Sequence, residues 1–190
     1  PASAAPSHNL LRNGGAEVWA GSNPTEWGVS SGTLTQTGTG LGDTRKLYGD
    51  YAVKVSGGTA TTLVNLSAEE LPRVLGQSIT ITGWVYVASG QATQPVVALQ
   101  VWYNGGTSAY GIAAISATDQ WVPLRLTSPV PSNATQVQAA FVNSASAAAG
   151  IYYIDGVSIT FGRAGVFTEA ARLPSGLNLA LYNNGGYKTT

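Results

Sequence analysis

The groups able to do acid–base, nucleophilic or metal chemistry are few. In 190 residues there are nine Asp+Glu, nine Lys+Arg, one His and no Cys. Without cysteine there is no disulfide, thiolate nucleophile or thiolate metal site. A lone His8 removes most imidazole acid–base and zinc chemistry. Gly28-Val29-Ser30-Ser31-Gly32 matches the Gly-x-Ser-x-Gly nucleophile elbow. That elbow needs a strand–turn–helix and a histidine after the serine, whereas no helical pattern follows and His8 lies upstream. Gly38-x-Gly40-x-Gly42 also lacks the following helix that would cradle a phosphate, and is expected to be a loop. Glycoside hydrolysis needs two carboxylates facing each other across a cleft. No pair among Glu17, Glu26, Asp43, Asp50, Glu69, Glu70, Asp119, Asp155 and Glu169 has a supporting pattern. The chain is therefore expected to be non-enzymatic, with no catalytic and no organic-cofactor residue.

Two other features point to chemistry. In the last alternating segment Ile151, Tyr153, Asp155, Val157, Ile159 and Phe161 fall on one face, which sets Asp155 in an apolar stripe. Burying an unpaired carboxylate is costly, so Asp155 needs a cation or several donors, whether backbone N–H groups, an Arg or Lys54. The second feature is aromatic. Trp84 and Tyr86 alternate with Ile79, Ile81, Val85 and Val87, and Trp102 shares a face with Gln100, opposite Val97, Leu99, Val101 and Tyr103. Aromatic rings flanked by amides stack on sugar rings while the amides bind hydroxyls. Trp84, Tyr86, Gln100 and Trp102 are the glycan-binding candidates. Alternation alone does not say which face is inner, so both Trp84 as a core residue and Trp102 as an oligomer contact stay open.

The elements that position these residues are strands. Only 9% of residues are charged, against roughly 25% in ordinary soluble domains, and the net charge is zero. No basic excess favours nucleic acid, and no apolar run approaches the roughly 18 residues that span a bilayer. At 44% hydrophobic the chain is not disordered. There is no Met, so either the initiator was removed or the chain is a piece of something longer; residues 1–8 show no signal-peptide pattern. Short alternating or apolar runs bounded by Gly, Asn and Pro recur at 9–11, 16–19, 32–37, 51–55, 59–66, 78–87, 96–103, 110–115, 121–127, 135–142 and 151–161. Asn104-Gly105-Gly106 is a hairpin signal. Residues 67–75 suit one helical turn, with Ser67 as cap and Glu70 at the capping-box position. The pattern predicts an antiparallel β-sandwich with a short C-terminal extension.

The order of these segments resembles the calcium-stabilised jelly-roll carbohydrate-binding modules, the galactose-binding-like sandwiches attached to many glycoside hydrolases. Four pieces carry the resemblance: Asn9-Leu10-Leu11-Arg12-Asn13-Gly14-Gly15-Ala16-Glu17, Gly49-Asp50-Tyr51-Ala52-Val53-Lys54-Val55, residues 76–87, and Tyr152-Tyr153-Ile154-Asp155-Gly156-Val157-Ser158-Ile159. The opening through Trp19 is closer still to the form found in virion surface proteins of tailed bacteriophages, which often reads Asn-Leu-Leu-x-Asn-Gly-Gly-x-Glu-x-Trp. The resemblance implies an all-β jelly roll over residues 9–162. It also implies a structural calcium held by Glu17 and Asp155, though the second Asp of the family's closing motif is replaced by Gly156. It implies, too, a glycan site on a concave sheet face.

The expected organisation is a flexible arm at 1–8, the jelly roll at 9–162 and an extension at 163–190. The alternating segment 177–182 within that extension either docks on a neighbouring subunit or closes the parent sheet. The expected function is a bacteriophage virion component, a capsid decoration, spike or tail-fibre part, displaying a carbohydrate-binding-like module on the virion surface. Its expected partners are copies of itself, as a trimer, other virion proteins and surface polysaccharide, with neither nucleic acid nor membrane insertion. The alternative is a carbohydrate-binding module of a secreted glycoside hydrolase.

Overall fold

The structure is a computed structural model that describes residues 8–57, 61–104, 108–111, 117–143 and 150–162. The expected arm at 1–8 apart from His8, the extension at 163–190, the hairpin turn at 105–106 and the end of the 110–115 strand fall outside them. In chain order come β1 (Trp19–Ala20), β2 (Asn23–Pro24), β3 (Trp27–Val29), β4 (Thr33–Gly38), β5 (Tyr51–Ser56) and β6 (Thr61–Asn65). After the turn α1 (Leu71–Val74) come β7 (Ser78–Val87), β8 (Val97–Tyr103), β9 (Ser108–Gly111), β10 (Trp121–Pro129), β11 (Val137–Asn143) and β12 (Tyr152–Phe161).

Two five-stranded sheets form the sandwich, the first ordered β10-β7-β12-β5-β4 and the second β3-β6-β11-β8-β9. The pairings within both sheets are antiparallel. The chain is thus an all-β jelly-roll sandwich. Period-two alternation fixes the inner faces. Ile79, Ile81, Val85 and Val87 of β7 meet Val97, Leu99, Val101 and Tyr103 of β8 in one core with Val53, Val55, Phe141, Ile154 and Ile159. At Gly83 close packing leaves no room for a side chain. A Cβ on Gly83 would lie 2.5 Å from Phe141 Cζ, so the ring occupies the space that a side chain would take.

Two buried tyrosines cross between the sheets. The Tyr152 hydroxyl of β12 bonds Thr62 Oγ1 of β6 at 3.2 Å, and burial pushes its pKa up to about 12. From the other side the Tyr103 hydroxyl donates to the Pro129 carbonyl at 2.7 Å. Each satisfies a polar group that would otherwise be stranded in the core.

β12 departs from its expected regularity. Its register against β7 shifts between Asp155 and Ser158, a β-bulge with Gly156 at φ +58°. Tyr153 and Asp155 therefore stand opposite Tyr86 and Trp84 on the outer face, while Val157 and Ile159 lie in the core and Ile159 stands opposite Ile81. The apolar stripe expected around Asp155 is corrected accordingly. One extra residue inverts the alternation, so Asp155 does not share a face with Val157 and Ile159.

Past the bulge β12 is bordered by the opening segment. Leu10 N–H donates to Ile159 O at 2.8 Å and Val157 N–H to Gly14 O at 2.9 Å. Asn9 brackets the same stretch, donating to Val157 O and accepting from Ile159 N–H, both at 3.0 Å. Residues 9–11, expected to be a strand, are instead an irregular segment held this way. The Asn13 amide ties the next turn, bonding Val18 N–H, Val18 O and Thr25 O. The helical turn at α1 has Glu70 at its N-cap with no side-chain cap bond. The Ser67 hydroxyl is buried with no hydrogen-bond partner among the described residues, so the expected capping box does not form.

Gly14 is the tightest point of this arrangement, since an added Cβ would stand 1.9 Å from Val157 O. Gly14→Ala should therefore destabilise the protein by at least about 3 kcal/mol in urea unfolding. Gly28→Ala, whose added carbon meets nothing within 4 Å, should change stability by less than about 1 kcal/mol. Equal effects at the two positions would contradict the close approach.

Candidate functional site

The outer face of the first sheet is covered by the β4–β5 connection, residues 39–50, and the two carboxylates of the resemblance hold that connection by its amides. Asp155 Oδ2 accepts from Leu47 N–H at 2.7 Å and Tyr48 N–H at 2.8 Å. Its Oδ1 accepts from Gly156 N–H at 2.6 Å. Glu17 Oε1 accepts from Asp50 N–H at 2.9 Å. Of the partners open to Asp155 in the sequence, the backbone N–H groups are the ones present, while Lys54 pairs with Asp43 at 3.7 Å. Asp155 is fully buried. Desolvation pushes its pKa up to about 7 against the pull of the three amides, and the nearby Glu17 charge pushes the same way.

Two hard oxygen donors that repel each other in a buried place fit a Ca²⁺ ion, which would relieve both desolvation and repulsion. Among the described residues no group of three or more His, Cys, Asp or Glu side chains comes together. The remaining ligands would have to be carbonyl oxygens or water. Gly156, in the left-handed region, offers its N–H to Asp155 and no side chain.

The aromatic candidates divide between opposite sides of the molecule. Trp84 and Tyr86 are half-buried on the outer face of the first sheet, where the 39–50 connection packs on them. Trp84 meets Tyr48 edge-on at 6.2 Å between ring centroids. Tyr86 packs against Trp121 at 5.7 Å and Tyr153 at 5.8 Å. The Arg45 guanidinium lies 5.6 Å above the Tyr86 ring and 5.0 Å above that of Tyr153. Arg45 also bonds Asp43 at 3.0 Å, and the Tyr153 hydroxyl donates to Asp43 at 2.8 Å. Burial works against ionisation of Asp43, but the bonds from Tyr153 and Arg45 outweigh it and hold its pKa below 3.8. The network's contribution is thus present above that value and is lost as pH falls through the lower folded one. Trp84 and Tyr86 serve as a floor for the chain's own loop.

Gln100 and Trp102 lie on the outer face of the second sheet, both half-buried, with inward neighbours that are fully buried. The indole N–H of Trp102 donates to Gln100 Oε1 at 2.7 Å, which fixes ring and amide together. Across the sheet Trp102 stands opposite Gln138, and Gln138 opposite Asn65. The next row is Gln100, Ala140, Leu63 and Gly28, in which Ala140 and Gly28 are the small positions that lower the floor. None of the five strands of this sheet carries a charged residue.

Sequence reasoning missed several of these groups. Trp121, Tyr153, Asp43 and Arg45 on one face, and Asn65 and Gln138 on the other, come from strands and loops far apart in the chain. The one available signal was their polar or aromatic alternation, and it becomes informative only once strand pairing is known.

No family model matches this chain, and no curated protein matches it. Solved structures do. The CBM22-1 xylan-binding domain of Paenibacillus barcinonensis Xyn10C superposes with a TM-score of 0.59 at 16% identity, covering 84% of this chain and 97% of that one. TmCBM61, solved in complex with beta-1,4-galactotriose, gives 0.55 at 14% identity, covering 82% and 100%. The enzymatically active domain of bacteriophage CBA120 tailspike protein 4 gives 0.56 at 17%, covering 81% of this chain and 21% of that one. At such identities the likeness is one of fold: this chain has the jelly-roll fold of carbohydrate-binding modules.

Proposed function

We propose that the chain is a non-enzymatic carbohydrate-binding protein that presents the outer face of its second sheet to a polysaccharide. The observation that carries this reading is the half-exposed Trp102, locked to Gln100 on a sheet with no charged residue. A planar ring beside amides and a low floor takes a sugar's apolar face and its hydroxyls together. The face bearing Trp84 and Tyr86 is a weaker candidate because Tyr48 and Arg45 already stack there. In affinity electrophoresis against a panel of soluble polysaccharides, Trp102→Ala should weaken binding about tenfold or more while Tyr86→Ala leaves it within about twofold. The reverse order would move the site to the other sheet.

The setting we propose is the surface of a phage virion, as a decoration, spike or tail-fibre part that assembles with copies of itself and attaches to host-surface glycan. The opening Asn9-Leu10-Leu11-Arg12-Asn13-Gly14-Gly15-Ala16-Glu17-Val18-Trp19 and the likeness to a tailspike domain support it. The likeness to a xylan-binding domain and to TmCBM61, solved with beta-1,4-galactotriose, supports a second setting, a binding module of a secreted polysaccharide-degrading enzyme. Light scattering separates the two. The virion reading expects a trimer that falls to monomer when residues 165–190 are removed, whereas a monomer in both cases supports the module.

We also propose a structural Ca²⁺ between Glu17 and Asp155. Addition of calcium to chelator-treated protein should raise Tm by several degrees, and Glu17→Gln or Asp155→Asn should abolish that rise. A calcium-independent Tm in the wild type would overturn the calcium proposal and leave Asp155 held by the amides of Leu47, Tyr48 and Gly156.

A further inference from the structure

The amide network beside Trp102 specifies the chemistry of what it receives. Asn65 sits next to Glu26 at the end of the row Trp102–Gln138–Asn65. Its N–H donates to Glu26 O at 2.9 Å, and its Nδ2 donates to the same oxygen at 3.0 Å. A backbone carbonyl can only accept, so the orientation of the Asn65 amide is fixed and its Oδ1 faces the other way. That Oδ1 accepts from Gln138 Nε2 at 2.7 Å and from Gln136 Nε2 at 3.3 Å. The Gln138 amide is oriented in turn, and its oxygen is left over. Gln138 is 5% exposed, and its Oε1 has no hydrogen-bond donor among the described residues. Glu26 repeats the pattern, with a buried Oε2 that also has no donor. Its backbone is strained as well, at φ +68°, a region that disfavours any residue with a Cβ.

Two acceptors without donors thus occur along one row of about 14 Å, four chains wide. The strands beneath carry neither cation nor anion. Carboxylates, sulfates and phosphates only accept, so they cannot satisfy these oxygens and would face Glu26 with no compensating base on the strands beneath. Both oxygens are covered in the free protein, and once a covering side chain shifts a neutral hydroxyl can donate to each.

We propose that Glu26 and Gln138 are specificity-determining acceptors, positioned by Asn65, which select an uncharged glycan by accepting hydrogen bonds from its hydroxyls. This rests on the carbohydrate-binding reading and names the ligand class for the same face. Gln136, held by the longer of the two bonds to Asn65, is the side chain that swings aside to admit a hydroxyl.

The test compares wild type, Glu26→Gly, Gln138→Met and Trp102→Ala in the full chain. Binding is measured to neutral galactan, β-glucan and arabinoxylan and to acidic polygalacturonate and alginate, at low salt and in roughly 0.5 M NaCl. The proposal expects neutral glycan to bind with an affinity unchanged by salt. Gln138→Met and Glu26→Gly should each weaken it about tenfold. Glu26→Gly should at the same time hold or raise Tm, because glycine relaxes the left-handed backbone. A residue serving only the turn would gain stability without losing binding, and that result would overturn the role of Glu26. Neutral binding that falls with Trp102→Ala but not with Gln138→Met or Glu26→Gly overturns the acceptor row and keeps the glycan reading. Preferential, salt-sensitive binding of polygalacturonate or alginate overturns the neutral class alone. Binding of none of the five polysaccharides overturns both.

Discussion

The β-bulge at Asp155–Ser158 is the constraint on which the rest of this sandwich turns. Without it β12 would continue its alternation, and Asp155 would share a face with Val157 and Ile159 instead of lying beneath residues 47 and 48. The bulge sends one carboxylate outward to hold a crossing loop and returns the next residues to the core. It also marks the point where β12 exchanges β5 for the opening segment as its neighbour, through Val157 and Ile159. A single left-handed glycine therefore joins three things that are remote in the chain: the start of the fold, the loop over the first sheet, and the core.

The two outer faces that result are chemically unlike. The first carries Asp43, Arg45 and Lys54, bound into ion pairs and aromatic stacks, and Asp155, held by backbone amides, so that its polar capacity is engaged internally. The second is neutral along its strands, and its amides are oriented in series from one backbone carbonyl. The division is economical in residues. Acids and bases fasten a loop where the chain must cover itself, and uncharged groups line the sheet that the first loop does not cross.

Much of this architecture was legible in sequence. Alternation at 78–87 and 96–103 divided each strand into two faces, because β-branched and aromatic residues at period two have few other packings, but only the packing of the two sheets shows which face is inner. The short β3, at Trp27–Val29, was not foreseen; three residues give no period to read. The bulge was equally hidden, since Gly156 is as compatible with a regular strand or a turn as with a register shift. The 39–50 connection reads as a plain Gly-rich loop, yet Arg45 and Tyr48 in it decide which aromatics are engaged. The four aromatic and amide candidates looked like one set because strand faces were assigned before the strands were assigned to sheets. Asn65 and Gln138 could be joined only through the register of β6 against β11.

The pairing of Leu10 with Ile159 has a topological consequence. The described residues begin and end on adjacent hydrogen-bonded segments of the sandwich. Such a body can be spliced into a surface turn of a larger host at little entropic cost, because its ends already meet at the spacing of neighbouring strands. For the same reason its order of strands can be circularly permuted: joining the segments near residues 9 and 162 and opening a distant turn would leave both sheets intact.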